Sequence, residues 1–398
     1  MRFRSFSPVT RRTFLGRTAQ GLGAVALGSL LGLDRTSNAA TRGALARLPL
    51  PQKAKRVIWL SMAGGPSHLE TFDPKPKLAE MHGQPMPESL TKGQQLAQLQ
   101  GKPLLCFAPQ HPFAKFGAAG TEICELFPHI GSVLDEICLI RSMTTDAINH
   151  DPAHMFMNTG SQIAGRPSMG AWVTYGIGSE STDLPGFVVL NGGQIPSGGL
   201  DCFGSGFLPA SFQGSLLNAN GAALANITPA ENPQARQTTK QRLVERLNRL
   251  SLQQAGANDA LESAIANAEL AARMQVAIPS LMDLSGESES TCRLYGLESE
   301  YVHTRTYARQ CMLARRMVER GVRFIELTIP MVDGYNRWDA HGNLRKNHGD
   351  NARAVDQPIA GLLIDLKQRG LTLAQHLATG DGLLGFLGGI AQGVSRHA

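Results

Sequence analysis

With 398 residues, 42% hydrophobic and 18% charged, the chain has enough apolar material for a large core and is not a disordered polypeptide. Gly 43 and Pro 22, about a sixth of all residues, point to many long loops and away from a helical bundle. The net charge of +6 is concentrated in residues 1–39, where Arg2, Arg4, Arg11, Arg12, Arg17 and Arg35 face Asp34 alone. The remainder is near neutral and carries no basic stripe with interleaved aromatics, which excludes nucleic acid as the expected partner.

The N-terminal segment reads Arg11-Arg12-Thr13-Phe14-Leu15, then a Gly- and Ala-rich apolar stretch over 19–33, then Ser37-Asn38-Ala39-Ala40. Paired arginines, a modest apolar region and a small-residue cleavage site form a twin-arginine export signal over 1–39. This predicts the twin-arginine export machinery as a partner and a periplasmic destination. About 15 weakly apolar residues fall short of the roughly 20 that span a bilayer, so no stable membrane span is expected. Cys106, Cys124, Cys138, Cys202, Cys292 and Cys311 lie far apart with no C-x-x-C pair, which leaves disulfides and scattered buried thiols both open.

Beyond the signal, residues 55–62 (KRVIWLSM) form a short apolar run stopped by Gly64-Gly65-Pro66, the pattern of a strand buried on both faces. Residues 74–127 are loop-rich and polar and read as an insertion outside the sheet core. Further strands are predicted at 136–143 (EICLIRSM), 186–191 (GFVVLN) and 321–330 (GVRFIELTIP). Helices are predicted over 236–275, over 301–320 with Tyr307, Cys311, Ala314 and Val318 on one face, and over 352–370 with Gly370 as its stop. Alternating strands and helices predict an α/β fold, a mostly parallel sheet sandwiched by helices, over residues 40–371. Residues 372–398 form a Gly-rich apolar tail.

In such sheets ligands gather beyond the carboxyl ends of the strands. Three strand exits there are rich in ligand-type side chains: Ser67, His68, Glu70 and Asp73 after the first; Asp146, His150, Asp151 and His154 after the second; Asp333, Asp339 and His341 after the last. Mixed imidazole and carboxylate donors suit zinc, iron or manganese better than calcium or magnesium alone.

Four stretches carry a resemblance: GGPSHLETFDPKPKLAEMHG, NHDPAHMFMNTGSQIAGRPSMGAWVTYGIGSESTDLPGFVVL, the helix leading into ERGVRFIEL, and WDAHG followed by DQPIAGLLIDLKQRGL. They resemble the DUF1501 family, exported bacterial proteins abundant in planctomycetes and placed in the alkaline-phosphatase and sulfatase superfamily. The resemblance implies that superfamily's fold and a divalent metal (zinc, manganese, calcium or magnesium). It also implies hydrolysis of sulfate or phosphate esters, small or polysaccharide. His150-Asp151-Pro152-Ala153-His154, with Thr159-Gly160 following, falls in the frame of the sulfatase nucleophile motif. His150 stands where the nucleophile would be and His154 where the arginine would be.

That resemblance makes His150 and His154 the expected catalytic pair, although a histidine there can be nucleophile, base, ligand or helix cap. His68, Asp73, Asp339 and His341 become the expected metal ligands. Glu70 stands where the family has Asp. After Gly370 the family continues with a strand, a Glu-Phe-Gly-Arg-Thr-Pro motif and an Arg-Asp-His motif, none of which occurs in 371–398. The expectation is therefore a C-terminally incomplete domain with reduced activity, the alternative being a non-catalytic exported binding or surface protein on the same scaffold.

Overall fold

The computed structural model describes residues 54–371 except 93–102, 144, 148, 194, 226, 228–233, 257 and 331–337, and also 43–45, 48 and 52. The export signal, Asp333 and the Gly-rich tail lie outside the described residues, so the expectations about them are not addressed by the fold.

Short runs rich in Val, Ile, Leu and Phe form the central sheet. Its strands are β1 (Val57–Ser61), β4 (Phe187–Asn191), β5 (Ser215–Asn218) and β6 (Phe324–Thr328). A separate antiparallel hairpin joins β2 (Phe113–Phe116) to β3 (Thr121–Cys124). The main sheet has the order β1-β6-β4-β5 with every pairing parallel. Register aligns Ile58 with Ile325 and Val188, and Leu60 with Leu327 and Leu190, so one face presents aliphatic rows. Trp59, Glu326 and Val189 align on the other face. Parallel strands buried on both sides need this near-continuous apolar composition.

The helices are α1 (His68–Thr71), α2 (Pro76–Glu80), α3 (Glu88–Thr91), α4 (Pro128–Ser132), α5 (His150–Thr159), α6 (Met169–Ile177), α7 (Gln234–Ala255), α8 (Asp259–Met282), α9 (Glu289–Tyr295), α10 (Val302–Glu319) and α11 (Leu344–Gln368). In α10, Tyr307, Cys311, Ala314 and Val318 are buried, as the spacing predicts, and pack with Ile325, Leu327 and residues of α11 in the main core. A fully buried aliphatic side chain of the size of Val318, Ile325 or Leu327 contributes roughly 1.5–3 kcal/mol by leaving water. On the opposite face a smaller cluster joins Trp59, Phe187, Val189 and Phe324 to Met155 of α5.

Gln310 of α10 ties the sheet's carboxyl end together, its side-chain amide donating to the carbonyls of Leu190 (3.1 Å) and Thr328 (2.8 Å). Asp356 of α11 caps α4 from a distance, accepting from the backbone N–H of His129 (2.9 Å) and Ile130 (2.8 Å). These two bonds satisfy donors that α4, too short to cap itself, leaves open.

Parallel strands and flanking helices follow the sequence reading, and the described residues of 74–127 stay outside the main sheet as expected. Four details differ. Residues 137–143 form no strand: after a short 3-10 turn at Leu134–Glu136, their apolar side chains line a cavity instead. The helix predicted over 236–275 is two helices, separated where Gly256 adopts φ +65. α11 starts at Leu344, eight residues before the predicted start at 352. β5 has no counterpart among the predicted strands. All six cysteines are free thiols, four of them buried.

Candidate metal centre

The chain leaves β1 through Gly64 and Gly65, at φ +86 and +67, a pair of left-handed positions that suits glycine. The N–H of Gly65 returns to the carbonyl of Met62 at 3.0 Å, so the backbone turns sharply and presents Ser67 and His68 beyond the sheet's carboxyl end. The exit from β6 is fixed differently. Trp338, only 2% exposed, stacks on Phe127 at 6.4 Å and meets the edge of His348 at 5.2 Å. Its backbone N–H reaches the carbonyl of Ala63 at 3.4 Å, docking this exit against that of β1. The residues after this anchor, Asp339 and His341, are thereby placed opposite α5.

His150 is the first residue of α5. Its Nε2 lies 2.9 Å from Oδ2 of Asp339, and Nε2 of His341 lies 2.9 Å from the same oxygen. The three ligand-type atoms are all within 4.8 Å of one another. Donors on a tetrahedral zinc with bonds near 2.0–2.1 Å are about 3.3 Å apart, so small rotations bring this set onto one cation. Two imidazoles and a carboxylate, leaving a fourth position open, are the donor count and type of a catalytic transition-metal site. His341 is 86% exposed in its side chain, which opens this side to solvent.

His150 and Asp339 border an opening of about 320 Å³, whose wall also includes Ser67, His68, Ala153 and His348. Burial lowers the pKa of His68, outweighing the opposing pull of Asp73, and favours its neutral form. His348 accepts a hydrogen bond from the N–H of Ser67 at 3.0 Å. Burial pushes its pKa down to about 4, which keeps it neutral and lets Nε2 act as that acceptor. The sequence reading did not single out His348. Its only signal is helical phase, since it shares a face with Ala352, Val355 and Ile359.

A family model described as a protein of unknown function, DUF1501, matches residues 54–374. The chain belongs to the DUF1501 family. No curated protein and no solved structure matches this DUF1501 chain.

Of the residues singled out in the DUF1501 motifs, the fold brings His150, Asp339 and His341 together and sets His68 on the same opening. His154 lies one turn behind His150, its ring centroid 6.5 Å away, buried and off the opening's wall among the described residues. Asp73 is neither among the clustered donors nor on the opening's wall among the described residues; it pairs with Lys75 at 2.9 Å, with Arg141 at 4.0 Å. Glu70 is buried, and its Oε2 accepts the N–H of Gln110 at 2.7 Å, fastening the insertion to α1. Burial raises its pKa, and that backbone bond opposes the rise. Asn149, not His150, is the residue that precedes and caps α5, and its side chain makes no cap bond.

Proposed function

We propose that this DUF1501 protein is an exported, metal-dependent hydrolase of sulfate or phosphate esters, working in the periplasm after passage through the twin-arginine machinery. The observation that carries the proposal is the convergence of His150 with the sequence-distant pair Asp339 and His341, the three donor atoms lying within 4.8 Å of one another. In this reading the three residues hold a divalent cation of the zinc or manganese type. Such a cation, when bound, polarises an ester oxygen and stabilises charge that develops in the transition state.

The chain's own groups divide the remaining work. His68 faces the same opening and is held toward its neutral form by burial, so its imidazole can accept a proton from the attacking water or hydroxyl. His348 fixes the backbone of Ser67 and with it the loop that carries His68. His154 backs the ring of His150 and is a positioning residue in this reading, not a reacting one. Asp73 belongs to the ion pairs around Lys75 and does not serve as a ligand.

The test is metal analysis of the purified protein, with sulfate- and phosphate-ester assays before and after chelation and after His150→Ala. Bound metal and turnover lost on both treatments are expected. Turnover that survives chelator and His150→Ala unchanged would remove the proposal. The exposure of His341 favours one second reading, a periplasmic protein that binds anionic polysaccharide through a cation without turnover. Chelator-sensitive binding of a sulfated polysaccharide with no hydrolysis would select it.

A further inference from the structure

Trp338 is a wall shared by two cavities of opposite character. On one side is the polar opening with His150, Asp339 and His68. On the other is an apolar cavity of about 130 Å³, bounded by Trp59, Phe72, Phe127, Met157, Val355 and Ile359, with no charged side chain in its lining. Its rim includes Ile140 and Met143, which are 48% and 52% exposed. These residues belong to the apolar stretch that the sequence predicts as a strand. Apolar cavities on the order of 150 Å³ stay dry and take up benzene, so this volume fits one aromatic ring or a compact branched alkyl group.

The two cavities are lined by the same helices. On α5, His150 and Ala153 line the polar side and Met157 the apolar side. On α11, Leu344 and His348 line the polar side, and Val355 and Ile359 the apolar side. Steps of three, four and seven residues keep each set on one helix face. From His348 to Val355 the offset is about 10 Å along the helix axis. The indole Nε1 of Trp338 is buried and has no hydrogen-bond partner among the described residues, an orphaned donor on the dividing residue.

From this we infer the substrate class: an amphiphilic ester, with its charged head at the His150, Asp339 and His341 centre and an apolar group the size of one ring, joined by a spacer of a few bonds, in the cavity behind Trp338. The inference rests on the hydrolase reading, but the apolar subsite can be tested apart from it.

The first experiment adds benzene to chelator-treated protein. A rise in melting temperature of about 2 °C at saturation is expected. Ile140→Asp at the rim and Met157→Trp within the cavity should each abolish that rise, and two unrelated positions guard against one variant misfolding. The second experiment compares 4-phenylbutyl phosphate with methyl phosphate on the metal-loaded protein. The phenylbutyl ester should show a KM about tenfold lower than methyl phosphate, an advantage lost in Ile140→Asp. Benzene binding without turnover of any ester supports the subsite and counts against hydrolysis. Turnover of both esters with equal KM, and no benzene shift, overturns the subsite and leaves hydrolysis standing. No benzene shift in the wild-type protein, the result expected if the chain's own residues fill the cavity, overturns it too.

Discussion

The two faces of the central sheet are built from the same strands but do different things. One face stacks Ile58, Leu60, Val188, Leu190, Ile325 and Leu327 against α10 and α11 in a continuous apolar core. The other has the smaller cluster around Trp59, Phe187, Val189 and Phe324, and it is the face on which Met155 packs α5. Strand alternation places Glu326 and Thr328 on this smaller face as well. Thr328 Oγ1 accepts the N–H of Gly192 at 3.0 Å, whereas Oε1 of the buried Glu326 has no partner among the described residues. The apolar face supplies most of the burial that stabilises the fold. The other face tolerates polar groups and carries the helix that begins with His150.

That contrast is sharpened first at the far side of the large core. Arg315 of α10, 3% exposed in its side chain, pairs with Glu287 at 2.6 Å, Glu319 at 2.9 Å and Asp365 at 3.1 Å. Tyr295 donates to Asp365 at 2.9 Å. Arg315→Met should cost about 1.5–3 kcal/mol in chemical denaturation, because it removes charge-assisted bonds to partly buried carboxylates, while Glu287 keeps Arg316 at 3.3 Å and Asp365 keeps Arg369 at 2.7 Å. A loss below about 1 kcal/mol would show that water already screens this network.

A change of the opposite sign is expected on the smaller face. Burial pushes the Glu326 carboxyl from 4.5 up to about 8. Between these values the folded protein retains a proton that the unfolded chain has released. Stability is therefore full below about 4.5 and falls as pH rises toward 8. Glu326→Gln should flatten this slope and raise stability at pH 8 by on the order of 1–3 kcal/mol, read from melts across pH. A variant less stable than wild type at pH 8 would mean that the carboxylate has a favourable partner.

His348 gives a smaller effect that slopes the other way. Its pKa is lowered from 6.5 to about 4, so its contribution is present above 6.5 and lost as pH falls through that window. His348→Gln should reduce the acid sensitivity between these values. An unchanged profile would show that His348 titrates normally.

Much of this architecture is legible in the sequence, for physical reasons that also explain the failures. β1, β4 and β6 are short, mainly apolar runs, and the register explains why both faces of each are largely buried. β5, Ser215–Asn218, is too short and too polar at its ends to stand out. Residues 137–143 have the composition of a strand but line the rim of a cavity with partly exposed side chains, a distinction that periodicity cannot make. At the site, Asp339 and His341 are visible as ligand types beyond a strand exit, and His150 as one in a ligand-rich cluster whose preceding apolar run, 137–143, is not a strand. Asp73 looks equally suitable in the sequence, because pairing with Lys75 and Arg141 depends on packing. His348 stays hidden because its role is read from a helix whose sequence pattern predicts a start only at 352.

The central claim is that His150, Asp339 and His341 act together as one cation site. Its most direct test is equilibrium dialysis of the purified protein against zinc, with Asp339→Asn and His150→Ala alongside and folding checked by circular dichroism. About one equivalent bound by the wild-type protein, with affinity reduced tenfold or more in each folded variant, is the predicted result. Equal zinc binding by the wild-type protein and both variants, or none by any of them, would contradict it.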